Sequence, residues 1–145
     1  MPEVPSNIRE FNTIAGLIFA QLYRDFPILV DIDRPDIAKS MGVGGNDWSK
    51  HELASGHSFN DMLAHTISWL TAEEYIKAAG AHPAEHVTLT TKGLSAMNAV
   101  PSGLNQPLGT ELRTAIEHGS SPNLAAIGDL IGGVFGGLTK SMSSG

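Results

Sequence analysis

Residues 58–93 read SFNDMLAHTISWLTAEEYIKAAGAHPAEHVTLTTKG, and this stretch decides the fold. Ser58 is a side-chain acceptor of the kind that opens helices, and Asp61 sits three residues on, where a capping box carries Glu or Gln. Phe59, Met62, Leu63, Ile67 and Leu70 recur at steps of three and four, so they share one helical face. The helix is expected to end near Leu70 or Thr71. Tyr75-Ile76 and Val87-Thr88-Leu89-Thr90 are short β-prone runs, separated by the turn formers Gly80, His82 and Pro83. After Lys92-Gly93, the positions Leu94, Met97 and Val100 return to helical spacing. They predict a helix over 91–100, interrupted early by Gly93. Helix, hairpin, helix gives a mainly α chain with a small β-hairpin or three-stranded sheet, the α+β class.

Toward the N-terminus, Phe11, Ile14, Leu17, Ile18, Leu22 and Phe26 form one stripe from Asn7 onward. Asn7 is the expected N-cap, with Glu10 three residues later, and Pro27 ends the helix. Gly16 within the stripe marks close packing against a neighbour. Residues 28–32, Ile-Leu-Val-Asp-Ile, are β-prone and offer a third strand to the hairpin. Asp33 caps a short helix through Ile37, Ala38 and Met41, with Pro35 in its first turn and Gly42 at its end. The glycine-rich segment 42–57 reads as an inserted loop that docks Trp48 on the core.

Toward the C-terminus, Pro101-Ser102-Gly103 and Pro107-Leu108-Gly109 break the chain. Residues 108–118 predict a helix with Leu112, Ala115 and Ile116 inward. In 123–138, Leu124, Ile127, Ile131, Val134 and Leu138 repeat at three and four, while Gly128, Gly132 and Gly136 repeat at four on another face. Each glycine costs a helix roughly 1 kcal/mol relative to alanine, so this segment needs outside contacts to hold. Three readings stand open. The segment packs on the domain or on a second copy, it lies on a membrane surface, or it folds on a partner. Lipid attraction is weak with only Lys140 nearby and Asp129 inside. Self-association would engage Leu124, Ile127, Gly128, Ile131, Gly132, Phe135 and Gly136. The organisation expected is a domain over 7–100 and a helical extension over 101–140.

Composition narrows the function. The 145 residues carry 9 Lys+Arg against 15 Asp+Glu, a net charge of −6, and no cysteine. Cysteine-based catalysis, disulfides and thiolate zinc sites are excluded, and a reducing, cytoplasmic home is expected. The N-terminus lacks the basic and apolar run of a secretion signal. No run approaches the roughly 20 apolar residues of a membrane span. An acidic chain also lacks the bulk charge that nucleic-acid binders use, so the placement of its basic residues decides more than their number.

Two segments carry a resemblance. Ile67-Ser68-Trp69-Leu70-Thr71-Ala72-Glu73-Glu74-Tyr75-Ile76 is a helix ending in a bulky pair, a short acidic turn, and Tyr-Ile opening a strand. Val87-Thr88-Leu89-Thr90-Thr91-Lys92-Gly93-Leu94 is a strand running into a helix. Together with the order of elements over residues 8–100, these resemble the winged helix-turn-helix superfamily, although Glu74 stands where that family often has glycine. The resemblance implies that the helix over 58–70 is the one that enters the major groove in DNA-binding members, with the hairpin as a wing touching phosphates.

The side chains here do not suit that role. Residues 58–70 contain no Arg or Lys, and from 58 to 91 the sole basic side chain is Lys77, against Asp61, Glu73, Glu74 and Glu85. Phosphate contacts and guanine readout come mainly from Arg and Lys. Asn60, His65 and Thr66 could meet base edges, and Arg34, Lys39 and Lys50 could bring charge from the preceding segment.

The remaining constellations have plain structural accounts. His82, Glu85 and His86 fall on a predicted turn rather than one helical face, so a solvated turn explains them better than a zinc site. Asp31, Asp33 and Asp36 lack the spacing of a calcium loop, and helix capping accounts for Asp33. Ser55-Gly56-His57 has no third orienting group. Gly42-Val43-Gly44-Gly45 lacks the Lys-Ser/Thr of a phosphate loop. The expectation is a non-enzymatic, cofactor-free protein acting through protein contacts and self-association. Asn60, Asp61, His65, Thr66, Glu73 and Lys77 are the partner-facing residues, with Trp69 as core or surface. A dimeric DNA-binding regulator using the same residues is the alternative, and a membrane-active tail the third.

Overall fold

The computed structural model describes residues 4–117, 119 and 121–144, with side chains to residue 136. His118, the expected end of the fifth helix, lies outside them, as does the side chain of Leu138. The chain is mainly helical with one two-stranded antiparallel sheet. Helix α1 spans Ser6–Asp25, α2 Arg34–Ser40, α3 Phe59–Ala72, α4 Thr91–Asn98, α5 Leu108–Ile116 and α6 Leu124–Ser144. Strand β1 is Ile76–Ala78 and β2 is Val87–Leu89, paired so that Ile76 faces Leu89 and Ala78 faces Val87. A single 3-10 turn, Trp48–Lys50, interrupts the 42–57 loop, and Trp48 meets Phe59 edge-on at 5.8 Å, docking that loop on the core as the sequence suggests.

Helix α1 is the axis of the molecule. Thr13 through Leu22 form an unbroken buried run, because α3, α4, α5, α6 and β2 surround it. A helix covered on all sides needs its polar groups satisfied internally. Thr13 donates to the Arg9 carbonyl, and the Gln21 amide both donates to the Asp33 carbonyl (3.1 Å) and accepts from the Asp33 N–H (2.9 Å). The expected cap at Asn7 is not formed. The cap position falls two residues earlier, at Pro5, whose carbonyl accepts from Ile8 and Arg9, and no side chain caps the helix. Glu10 does not reach back to the helix start. Its carboxylate turns to the loop and accepts from the Ser55 N–H at 3.0 Å and the Ser55 hydroxyl at 2.5 Å.

The third strand shrinks to one bridge. Val30 exchanges both backbone hydrogen bonds with Val87, and Ile32 donates to the Ala84 carbonyl. Beyond Ile32 the Gln21 clamp on Asp33 draws the chain to α1, and Asp33 caps α2 by accepting from Asp36 N–H. Ser58 caps α3 through Asp61 N–H, and Thr90 caps α4 through Gly93 N–H. Gly93 does not interrupt α4. A Cβ there would fall on the Tyr75 carbonyl oxygen, so glycine is what lets α4 pass against the strand entry.

Helix α6 finds its cover within the chain. Its most extensive packing is on α1, followed by α5. Ile127 and Ile131 are fully buried there. A Cβ on Gly16 would lie 2.6 Å from Ile127 Cγ2 and 3.0 Å from Ile131 Cγ1, so Gly16 is the notch into which α6 settles. Burying an isoleucine yields about 2–3 kcal/mol. Two of them offset the roughly 1 kcal/mol that each helical glycine costs. Asn123 caps α6 by accepting from Ala126 N–H.

Candidate functional site

The exposed side of α3 carries Asn60, Asp61, Ala64, His65, Ser68 and Trp69, because the opposite side spends Phe59, Leu63, Ile67 and Leu70 on the core. Glu73 and Glu74 continue it past the helix end, with Glu74 in a left-handed conformation (φ 64°). Lys77 is exposed on β1 opposite Thr88. Of the six sequence-named surface residues, Asn60, Asp61, His65, Glu73 and Lys77 are solvent-facing. Thr66 is not: it is 1% exposed and donates to the Met62 carbonyl at 2.7 Å. Its neighbours at both sides of the helical wheel placed it close to the boundary, and the fold takes it inside.

Trp69 resolves as a partly covered surface residue, 40% exposed. It belongs to a four-ring cluster with Phe11 of α1, Tyr75 at the strand entry and Phe135 of α6. Trp69 meets Phe11 edge-on at 5.1 Å and Phe135 at 5.3 Å, and stacks on Tyr75 at 6.2 Å. Lys92 lies 4.3 Å over the Tyr75 ring and donates to the Glu73 carbonyl, a cation–π contact at the cluster's edge. Burial, and then the nearby Glu73 charge, push the Tyr75 phenol above its usual pKa of 10.0. Phe135 in this cluster was named in the sequence only as a tail residue and Phe11 only as core. Their spacing shows helical faces but not that the two faces meet over Trp69.

The electrostatics of this face are set by what it lacks. No Arg or Lys occurs between residues 58 and 76, while Asp61, Glu73 and Glu74 are exposed. Lys77 and Lys92 share a shallow depression beside the hairpin, with Glu74 on its wall. Among the described residues no group of three His, Asp or Glu side chains could hold a metal ion. The His82 imidazole is drawn into the turn itself, its Nδ1 accepting from Ala84 N–H, while the backbone N–H of His86 donates to the Asp31 carboxylate across the fold.

The tail residues divide. Ile127 and Ile131 are buried on α1 and so are closed to a second copy unless α6 lifts away. Gly128 and Gly132 lie against Thr13 and Asn12 of the same chain, and Phe135 sits in the aromatic cluster. Leu124, Gly128 and Gly132 also line an open groove with the exposed Val4 and Ile8 of the N-terminal region. At Gly136 an added Cβ would meet no neighbouring atom of the described residues within 4 Å. No helix among the described residues is long and apolar enough to cross a membrane. No protein-family profile, no curated protein and no solved structure matches this chain.

Proposed function

We propose that this chain is a non-enzymatic binding module of winged-helix type that works in the cytoplasm through protein contacts. The outward face of α3 is its docking surface, and the groove of about 820 Å³ between the start of α1 and α6 is where it self-associates. The observation that carries this is Trp69. It is a large aromatic left 40% exposed, held by three other rings, on a helix that carries no Arg or Lys of its own. Rigid, half-open tryptophans are favoured anchors of protein interfaces. Support for self-association comes from Val4 and Ile8, exposed at 48% and 42% on the rim of an apolar groove.

Two measurements test this. A photo-crosslinking residue at His65 should give one discrete protein adduct in cells, lost in Trp69→Ser, whereas the same probe at Ser95 on α4 gives none. Equal labelling from both positions, or none from His65, overturns the docking surface. Light scattering over a concentration series should show a mass above one chain, returned to one chain by Ile8→Glu. One-chain mass at every concentration overturns the self-association.

A second reading, a dimeric DNA-binding regulator, is favoured by one observation: Lys77 and Lys92 sit together beside the hairpin. Two phosphate contacts would give a log-affinity slope of about −2 against log salt. A gel-shift salt series on duplex DNA distinguishes the readings, and steep salt-sensitive binding lost in Lys77→Gln would favour this one.

A further inference from the structure

We propose that the cleft between the start of α2, the outward side of α3 and the hairpin turn binds a small organic carboxylate. The cleft encloses about 240 Å³, and Arg34, Asn60, Ser68 and His82 stand around a floor that includes Leu63 and Ile67. In a chain with 15 acidic residues, no carboxylate lines it. Each of the four polar side chains offers a donor. Arg34 has no ion-pair partner among the described residues, where the ion pairs are Arg24–Asp25 and Arg113–Glu117. His82 Nδ1 accepts from the Ala84 N–H. A backbone N–H can only donate, so that nitrogen is unprotonated and the imidazole proton sits on Nε2 as a free donor. The Asn60 amide and Ser68 hydroxyl have no hydrogen-bond partner among the described residues.

The dimensions fix the ligand class. Asn60 and Ser68 are two turns apart on α3, about 12 Å along the axis, with the small Ala64 between them. The volume lies below the roughly 300–1,000 Å³ of sites for larger ligands, so a single ring or short branched chain fills it. One guanidinium matches one carboxylate as a two-pronged pair. The buried Leu63 and Ile67 floor suits an apolar body and gives nothing to a compact, fully hydrated dianion. This assignment stands independently of the docking surface on α3, since it needs neither Trp69 nor a protein partner.

The test uses the full chain and benzoate as probe, with benzamide and inorganic phosphate in parallel. Proton–nitrogen correlation spectra should show saturable shifts with benzoate at the Asn60, Ser68 and Ala84 amides. Affinity should fall at least about tenfold in Arg34→Gln. Ala64→Leu, which fills the floor and keeps the charge, should abolish binding, and it decides the matter if Arg34→Gln fails to fold. Benzamide should not shift these signals, and phosphate should not saturate them. The proposal is overturned by the absence of saturable shifts at these amides or by unchanged affinity in the folded variants. Benzamide binding as well as benzoate, or phosphate binding as tightly, overturns it too.

Discussion

A methyl group added at residue 93 and one added at residue 136 should move stability in opposite directions. Both glycines lie inside helices, where alanine is favoured by about 1 kcal/mol. At Gly136 the added carbon meets no neighbouring atom of the described residues within 4 Å, so Gly136→Ala should raise the urea midpoint by up to that amount. At Gly93 it meets the Tyr75 carbonyl oxygen, which is backbone already held by the Thr90 N–H. Relief requires moving α4 off the strand entry, and Gly93→Ala should cost about 2–3 kcal/mol in urea unfolding. The same spot governs the alkaline limit. The Tyr75 phenol is held above 10.0 by burial and by Glu73. The unfolded chain sheds that proton first as pH rises, so the phenol's contribution to stability is constant below about pH 10 and falls above it. Tyr75→Phe should make that alkaline fall shallower, read as urea midpoints against pH. Gly93 was visible in the sequence, but only as a weak point in a helix. Its real role depends on a carbonyl 18 residues away in the chain, which spacing does not reveal.

Elements were legible where their own period or cap declared them. The Ser58 and Asp33 caps, the α3 stripe and the hairpin could be read locally, because capping and alternation act within a few residues. Helix α1 was legible as a helix but not as the axis. A stripe of six large apolar residues specifies one covered face; Gly16 was legible as a point of close packing, but Ala15 and Ala20, which let neighbours close over the other sides, look neutral in sequence. Glu10 was read as a cap because it stands at the capping distance from Asn7, whereas Ser55 supplies two donors and wins it. Glu10→Ala leaves the Ser55 N–H without its acceptor. It should cost about 1–3 kcal/mol and raise amide exchange across residues 51–58. Ile127→Ala empties the seat of α6 on Gly16 and should cost about 2–4 kcal/mol in urea unfolding.

At the scale of the whole molecule, α6 is structural in its own chain. Its isoleucines cover α1, and α1 touches nearly every other element, so the region after residue 101 and the region before it share one core. Calorimetry should show a single unfolding transition, and a chain ending at Ser121 should lose it, since Leu112 and the face of α1 around Gly16 would lose the cover of Ile127 and Ile131. The sequence indicated that an apolar stripe of this length must be covered, but left open by what, because periodicity describes one surface and not its complement. The candidate face was legible in part for the same reason: charge and exposure of α3 follow from its own residues, whereas the ring cluster over Trp69 joins four separate segments.

That cluster gives the protein a built-in optical gauge. Trp69 is edge-on to Phe135, so the indole's surroundings depend on whether the last helix is seated. In a Trp48→Phe background all indole emission comes from this one ring. Unseating α6 would admit water and shift the emission to the red, while a ligand laid across α3 would shift it to the blue.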